Sequence, residues 1–386
     1  MLKLSSPFPY VLWGDAAGAD PFLFLTSKAD RISLWREGRE TTFRGNPFDV
    51  LSDLLRELAG RPGRAVGAFG YDLGQHLERL PRKAVDDLGF PDLVLGFYGE
   101  RGGAIGVADY EDAFGGEEGP PAADTFTRDG YLDAVRRVKE YVVAGDVYQV
   151  NLSRRVHARI EADPLDVWEK LRARNPAPFA AFFRFGRRAL LSVSPERFLE
   201  LRDGRLLTRP IKGTRRRGPG AAEELLASPK DDAELAMIVD LERNDLGRVC
   251  ETGTVRVTAP KTLETHPTVF HLSATVEGRC AKGPVDVLRA TFPGGSITGA
   301  PKIRAMEIID ELEPARRGFY TGAIGAIGFD GTMDLSIAIR TVQADGATYY
   351  VQAGGGIVAD SDPAAEYDET RAKAAAMADA LGMRTA

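Results

Sequence analysis

Cysteine is nearly missing from this chain: Cys250 and Cys280 are the only two in 386 residues. So sparse a pair excludes a disulfide framework, and it lacks zinc-ligand spacing. Neither thiol sits in a Gly-x-Cys-x-Gly turn, so neither reads as a glutaminase nucleophile. Long apolar runs are missing as well. No stretch reaches the roughly 18 to 20 apolar residues that a membrane span needs. The N-terminal MLKLSSPFPYVLWG has one Lys and no sustained apolar core, unlike a secretory signal. The expectation is a cytoplasmic protein in a reducing compartment, away from membranes. Basic tracts are short, the densest being Arg215 to Arg217. That argues against a nucleic-acid partner. There is no Gly-x-Ser-x-Gly elbow and no His-Glu-x-x-His. The stretch Gly294 to Lys302 resembles a phosphate loop only superficially, because Ala300-Pro301 stand where Lys and Ser or Thr belong.

What is present is an ordinary globular composition. The chain is 44% hydrophobic and 27% charged, with a net charge of −6. These proportions suit a sizeable buried core. Gly, Pro and acids concentrate in Asp112 to Asp124, which reads as a linker between 1–111 and 125–386. After it, Thr127 reads as an N-cap. Tyr131, Val135, Val138 and Val142 fall on one helical face, and Gly145 follows. Strands are expected at 179–185, 189–193, 198–201, 206–208, 323–329, 335–342 and 347–353. Helices are expected at 229–243, 285–291, 300–312 and 363–381. Consecutive strands with short turns, and helices added in blocks, give an α+β fold with large antiparallel sheets.

Several residues carry possible chemistry, although each one alone reads more simply as a solvated side chain. Lys212 lies in Arg209-Pro210-Ile211-Lys212-Gly213-Thr214, just past a strand. A desolvated lysine there can be a nucleophile. Glu196, in Ser194-Pro195-Glu196-Arg197, can hold a proton as a general acid if desolvated. Asp231 and Glu234 share one helix face, and Glu366, Glu369 and Lys373 share another. Facing each other, such acids would make an oxygen site suited to Mg²⁺. Gly354-Gly355-Gly356 reads as a permissive turn whose N–H groups can meet an anion, with Arg340 nearby as a carboxylate partner. The N–H groups around Ser296 and Thr298, ahead of the helix that Pro301 opens, offer a second anion contact. His271 sits in an apolar run and, buried, would need a partner.

Together these stretches resemble the chorismate-utilising enzymes, which include anthranilate synthase component I, aminodeoxychorismate synthase component I and isochorismate synthase. The matching motifs are SPERF (194–198), RPIKGT (209–214), MIVDLERNDLGRV (237–249), VFHL (269–272), FPGGSITGAPKIRAMEIIDELEP (292–314), RRGFYTGAIG (316–325), IAIRT (337–341) and QAGGGIVADSDPAAEYDETRAKA (352–374). They run in family order over roughly the last two-thirds of the chain, and the part before the linker matches weakly. The resemblance implies antiparallel sheets packed as a sandwich with helices outside. It implies Mg²⁺ held by Glu234, Glu366 and Glu369, with Asp231 standing where anthranilate synthases tend to have Glu. It places Tyr320, Arg340, Gly356 and Lys373 at the carboxylates of chorismate, Glu196 as general acid and His271 beside the ring.

Two positions separate the members. Lys212 stands where anthranilate, isochorismate and salicylate synthases usually carry Ala, and resembles the type that aminates C4. Gln149 stands where water-using members have a lysine base, so ammonia is the expected nucleophile. The resemblance thus implies 4-amino-4-deoxychorismate as product through a covalent lysine adduct. It implies ammonia from a separate glutaminase subunit and a separate lyase downstream toward 4-aminobenzoate and folate. The alternative is C2 amination with pyruvate loss, as in anthranilate synthase component I. The segment Pro9 to Asp15 does not match the tryptophan-binding strand of feedback-controlled members, so no tryptophan inhibition is expected.

Overall fold

The computed structural model describes residues 10–13, 16–19, 21–99, 124–267 and 269–383. The expected linker at 112–124 lies outside them except for Asp124, and Pro9, Gly14 and Asp15 also lie outside. Among the described residues the strands form one eight-stranded and one twelve-stranded sheet.

Side-chain alternation makes these sheets a sandwich. Strands Phe179–Phe185 and Arg188–Ser194 pair antiparallel in the eight-stranded sheet, turning at Gly186 with φ 58°. Phe183, Phe185 and Leu190 point inward and pack with Phe24, Val66 and Val94 of the other sheet. Phe182, Leu191 and Val193 point the opposite way. They are covered by Trp168 and Leu171 of helix Pro164–Arg174 and Met377 of helix Pro363–Ala380. A period of two thus serves two cores at once. Residues 21–99 belong to the same body. Strand Gly63–Phe69 pairs with Ala323–Gly328 inside the twelve-stranded sheet.

The helices begin where their caps predict. Thr127 accepts from Gly130 N ahead of helix Arg128–Val143. Ser228 and Asp362 do the same for helices Pro229–Gly247 and Pro363–Ala380, each with Pro in the first turn.

Two expectations are corrected. The strand read at 335–342 is two strands: Met333–Ile337 lies in the twelve-stranded sheet and Thr341–Asp345 in the eight-stranded one. The chain crosses between them at Ala338–Arg340, and Arg340 takes φ 50°. Apolar composition on both sides hid the break. The three glycines are likewise no turn. Strand Thr348–Ile357 runs through them, with Gly354, Gly355 and Gly356 paired to Ser153, Leu152 and Asn151. They are needed because neighbouring side chains occupy the space above them.

Candidate active site

Strand Ile211–Arg216 pairs with Val269–Arg279, Lys212 opposite Leu272 and Thr214 opposite His271. The register shifts between Lys212 and Thr214. Gly213 takes up that bulge with φ 74°, and a Cβ there would lie 2.9 Å from Asp231 Oδ1. The bulge re-aims Lys212 toward the turn at Gly295–Ile297. Its Nζ donates to the Ser296 carbonyl at 3.4 Å. Burial lowers the Lys212 pKa, against the opposing charge of Glu196. Glu196 is only 5% exposed, and burial raises its pKa while Ser296 and Lys212 oppose the rise. One turn therefore gathers a lysine biased toward its free amine and a carboxyl biased toward its acid.

His271 is buried beside this pair. Its Nδ1 lies 2.8 Å from Thr214 Oγ1, and its ring meets His266 edge-on at 5.1 Å. Burial first, then His266 and Arg340, push its pKa down to about 4, so it is neutral at pH 7. Arg340 has no carboxylate or hydrogen-bond partner for its side chain among the described residues. Burial lowers its pKa, and Tyr320 is the group that opposes the fall. Tyr320 is 4% exposed and lies under the Arg317 guanidinium, 5.8 Å from the ring centre. An unpaired, desolvated guanidinium is a place for an anion.

Glu366 and Glu369 meet over the glycine strand. A Cβ on Gly355 would lie 3.1 Å from Glu366 Oε2, 3.6 Å from Glu369 Oε1 and 3.9 Å from Lys373 Nζ. Glu369 is 2.6 Å from Lys373, which also donates to the Gly354 carbonyl at 3.0 Å. Burial raises the Glu366 pKa, and Glu369 adds to the rise. Glu234, on helix Pro229–Gly247, acts electrostatically on Lys212, as Glu369 does. Asp231 is spoken for: Arg215 Nη2 is 3.0 Å from its Oδ2, and it packs under Gly213. Among the described residues no three His, Cys, Asp or Glu side chains form a ready-made metal group. The paired oxygens of Glu366 and Glu369 do suit a cation that takes one or two carboxylates and fills its shell with water and substrate oxygens.

On the other face of the glycine strand, Gln149 is 1% exposed and a Cβ on Gly356 would lie 2.6 Å from its Nε2. Neither polar atom of its amide has a partner among the described residues. Thr298 is fully buried and holds its own turn, donating to the Gly294 carbonyl at 2.9 Å.

Two buried groups went unnoticed in the sequence. Glu242 and Asp245 lie on the buried face of helix Pro229–Gly247 with Leu235, Ile238 and Leu246. Their helical spacing with those leucines was the available signal. Asp245 pairs with Lys302, while Glu242 lies against the Gly295-Ser296 turn.

The model for chorismate binding enzymes matches residues 9–379. Aminodeoxychorismate synthase component 1 of Salmonella typhimurium is 42% identical over 92% of this chain and 87% of its own length. Anthranilate synthase component 1 of Thermus thermophilus is also 42% identical, over 84% of this chain and 78% of its own. The crystal structure of anthranilate synthase component I from Streptococcus pneumoniae superposes with a TM-score of 0.77 at 29% identity, covering 98% of this chain and 93% of that one. Fold, motif order and overall similarity agree: this chain belongs to the chorismate binding enzymes.

Proposed function

We propose that the chain aminates chorismate at C4, giving 4-amino-4-deoxychorismate, with Lys212 as a transient covalent nucleophile. The observation that carries this reading is the placement of Lys212 against Ser296 within electrostatic reach of Glu196, both desolvated. Burial shifts each toward the form the chemistry needs, a free amine and a protonated acid.

Chorismate is a dianion and the chain carries a net charge of −6, so neutralisation must be local. Arg340, with no carboxylate of its own, and Lys373 would take substrate carboxylate charge, with Tyr320 beside Arg340. Glu366 and Glu369, with Glu234, would hold Mg²⁺. Bound there, the ion supplies positive charge to a substrate carboxylate. The Lys212 amine attacks C2 as the ring double bonds shift and the C4–O bond breaks. Glu196 gives its proton to the departing hydroxyl, which leaves as water. Ammonia then attacks C4, the double bonds shift back, and the C2–N bond breaks to return Lys212. The exchange is ammonia for water, with one difficult displacement split into two. Neutral His271 flanks this path without adding charge. The unpartnered Gln149 amide can hydrogen-bond ammonia but cannot deprotonate water.

Relatives are named "component 1", which supports a separate partner that supplies ammonia. The anthranilate synthase relatives give C2 amination as the competing outcome. Mass spectrometry of the protein mixed with chorismate and Mg²⁺ tests the covalent step. A lysine adduct is expected in the unmodified protein and none in Lys212→Ala. Glu196→Gln should lower kcat by about a hundredfold. An adduct persisting without Lys212, or full turnover without the Glu196 acid, would overturn this mechanism.

A further inference from the structure

Glu242 is a carboxyl in the wrong place for a structural residue. It is 3% exposed, and among the described residues the Ser296 backbone N–H is the hydrogen-bond donor that meets its carboxyl. A Cβ on Gly295 would lie 3.1 Å from its Oε1, so it presses directly on the turn that carries Ser296. The N–H of Ser296 faces it. On its other side Ser296 accepts from Lys212 Nζ at 3.4 Å and acts on Glu196. Ser296 is thus the link between Glu242 and both groups assigned to the chemistry.

We propose that Glu242 is a positioning residue, a buried carboxyl that seats the Gly295-Ser296 turn behind the Glu196–Lys212 pair. This rests on the reading that Glu196 and Lys212 perform the reaction. A carboxyl suits the role because it fills the space behind Gly295 while one oxygen accepts from the Ser296 N–H. Were it ionised, its charge would favour the ammonium form of Lys212, which cannot attack.

The groups around it agree with an uncharged state. Burial first, then Asp245 and Glu196, push Glu242 up to about 8, while Lys302 and the Ser296 N–H oppose the rise. Lys302 offers little relief because it is already paired with Asp245 and donates to the Thr291 carbonyl. Asp245 is itself raised by burial, with Lys302 and Arg248 opposing.

The test uses the full chain with chorismate, Mg²⁺ and ammonium, and reads chorismate consumption whichever carbon is aminated. Glu242→Gln keeps the shape without the charge, so it should retain at least about half of wild-type kcat at pH 7. The ratio of its kcat to wild type should then rise several-fold as pH goes from about 7 to about 9, because only the wild-type residue ionises. Glu242→Ala should lower kcat about tenfold and change KM for chorismate less than about twofold. If the alanine variant does not fold, the pH dependence of the glutamine variant decides. A flat ratio across that range, or wild-type kcat in Glu242→Ala, overturns the proposal. Lys212→Ala and Glu196→Gln in the same assay report on the underlying mechanism. Turnover retained there means the mechanism has failed, independently of what the Glu242 variants show.

Discussion

Lys212, Glu196 and His271 share one physical cause for their chemistry: burial biases each toward its uncharged form. For His271 the consequence extends to stability. Its folded pKa of about 4 lies below its unfolded value of 6.5, so its contribution is complete above 6.5 and is lost as pH falls toward 4. His271→Gln should therefore lose about 2 kcal/mol less than the parent between pH 7 and pH 5, read from denaturant midpoints. An equal loss in both would mean that the ring is protonated in the folded state. Residue identity was legible in the sequence here because motifs name the residues directly. Their burial was not, since a Glu in a turn or a Lys before a glycine looks the same exposed or desolvated. Glu242 shows the limit. Six acids lie on helix Pro229–Gly247, and only the apolar spacing separates Glu242 and Asp245 from the solvated ones.

Elements bring these residues together through local breaks in regularity. The bulge at Gly213 aims Lys212, the crossing at Ala338–Arg340 frees Arg340 from either sheet, and the glycine run lets acids approach strand Thr348–Ile357. Periodicity placed the strands at 179–208 and most helices after residue 125, because each serves a core on one face, but most strands, including all those ahead of residue 100, went unread. It missed the breaks, because a bulge or sheet crossing leaves the hydrophobic pattern intact. Two glycines separate strain from aim. Gly213 and Gly331 both have positive φ, 74° and 88°, but only Gly213 has neighbours within reach of a Cβ. Alanine at either should cost about 1 kcal/mol in an unfolding experiment. Only Gly213→Ala should also lower kcat, by about tenfold or more, since a 1 Å displacement of a reacting group costs rate steeply. Gly355→Ala makes a third case. Its Cβ, 3.1 Å from Glu366 Oε2, should raise the Mg²⁺ concentration for half-maximal activity about tenfold with little change in unfolding midpoint. Unchanged Mg²⁺ dependence would take Glu366 out of the cation site.

For the whole molecule, the eight-stranded sheet and the Gly295–Ile297 turn are tied by one buried pair. Arg317 and Glu313 are 1% and 3% exposed and 2.7 Å apart. Glu313 also accepts from Ser153 N and Oγ of the eight-stranded sheet, and Arg317 donates to the Asn151 and Ile297 carbonyls. Glu313→Gln should cost about 3 to 5 kcal/mol in chemical denaturation, because Arg317 is left charged and buried. The exposed pair Arg36–Glu57 should cost less than about 1 kcal/mol when Glu57 is changed to Gln. Similar costs for both would mean that Arg317 is not held as a buried charge. The fold is shared with an anthranilate synthase component I and with isochorismate synthases, so the fold alone does not choose the product. In the proposed mechanism the choice falls to Lys212. It is tested by supplying the purified chain with chorismate, Mg²⁺ and ammonium, and adding an aminodeoxychorismate lyase to half of the sample. 4-Aminobenzoate appearing only in the half with lyase is the expected result. Anthranilate appearing in both halves would contradict it and place the amination at C2.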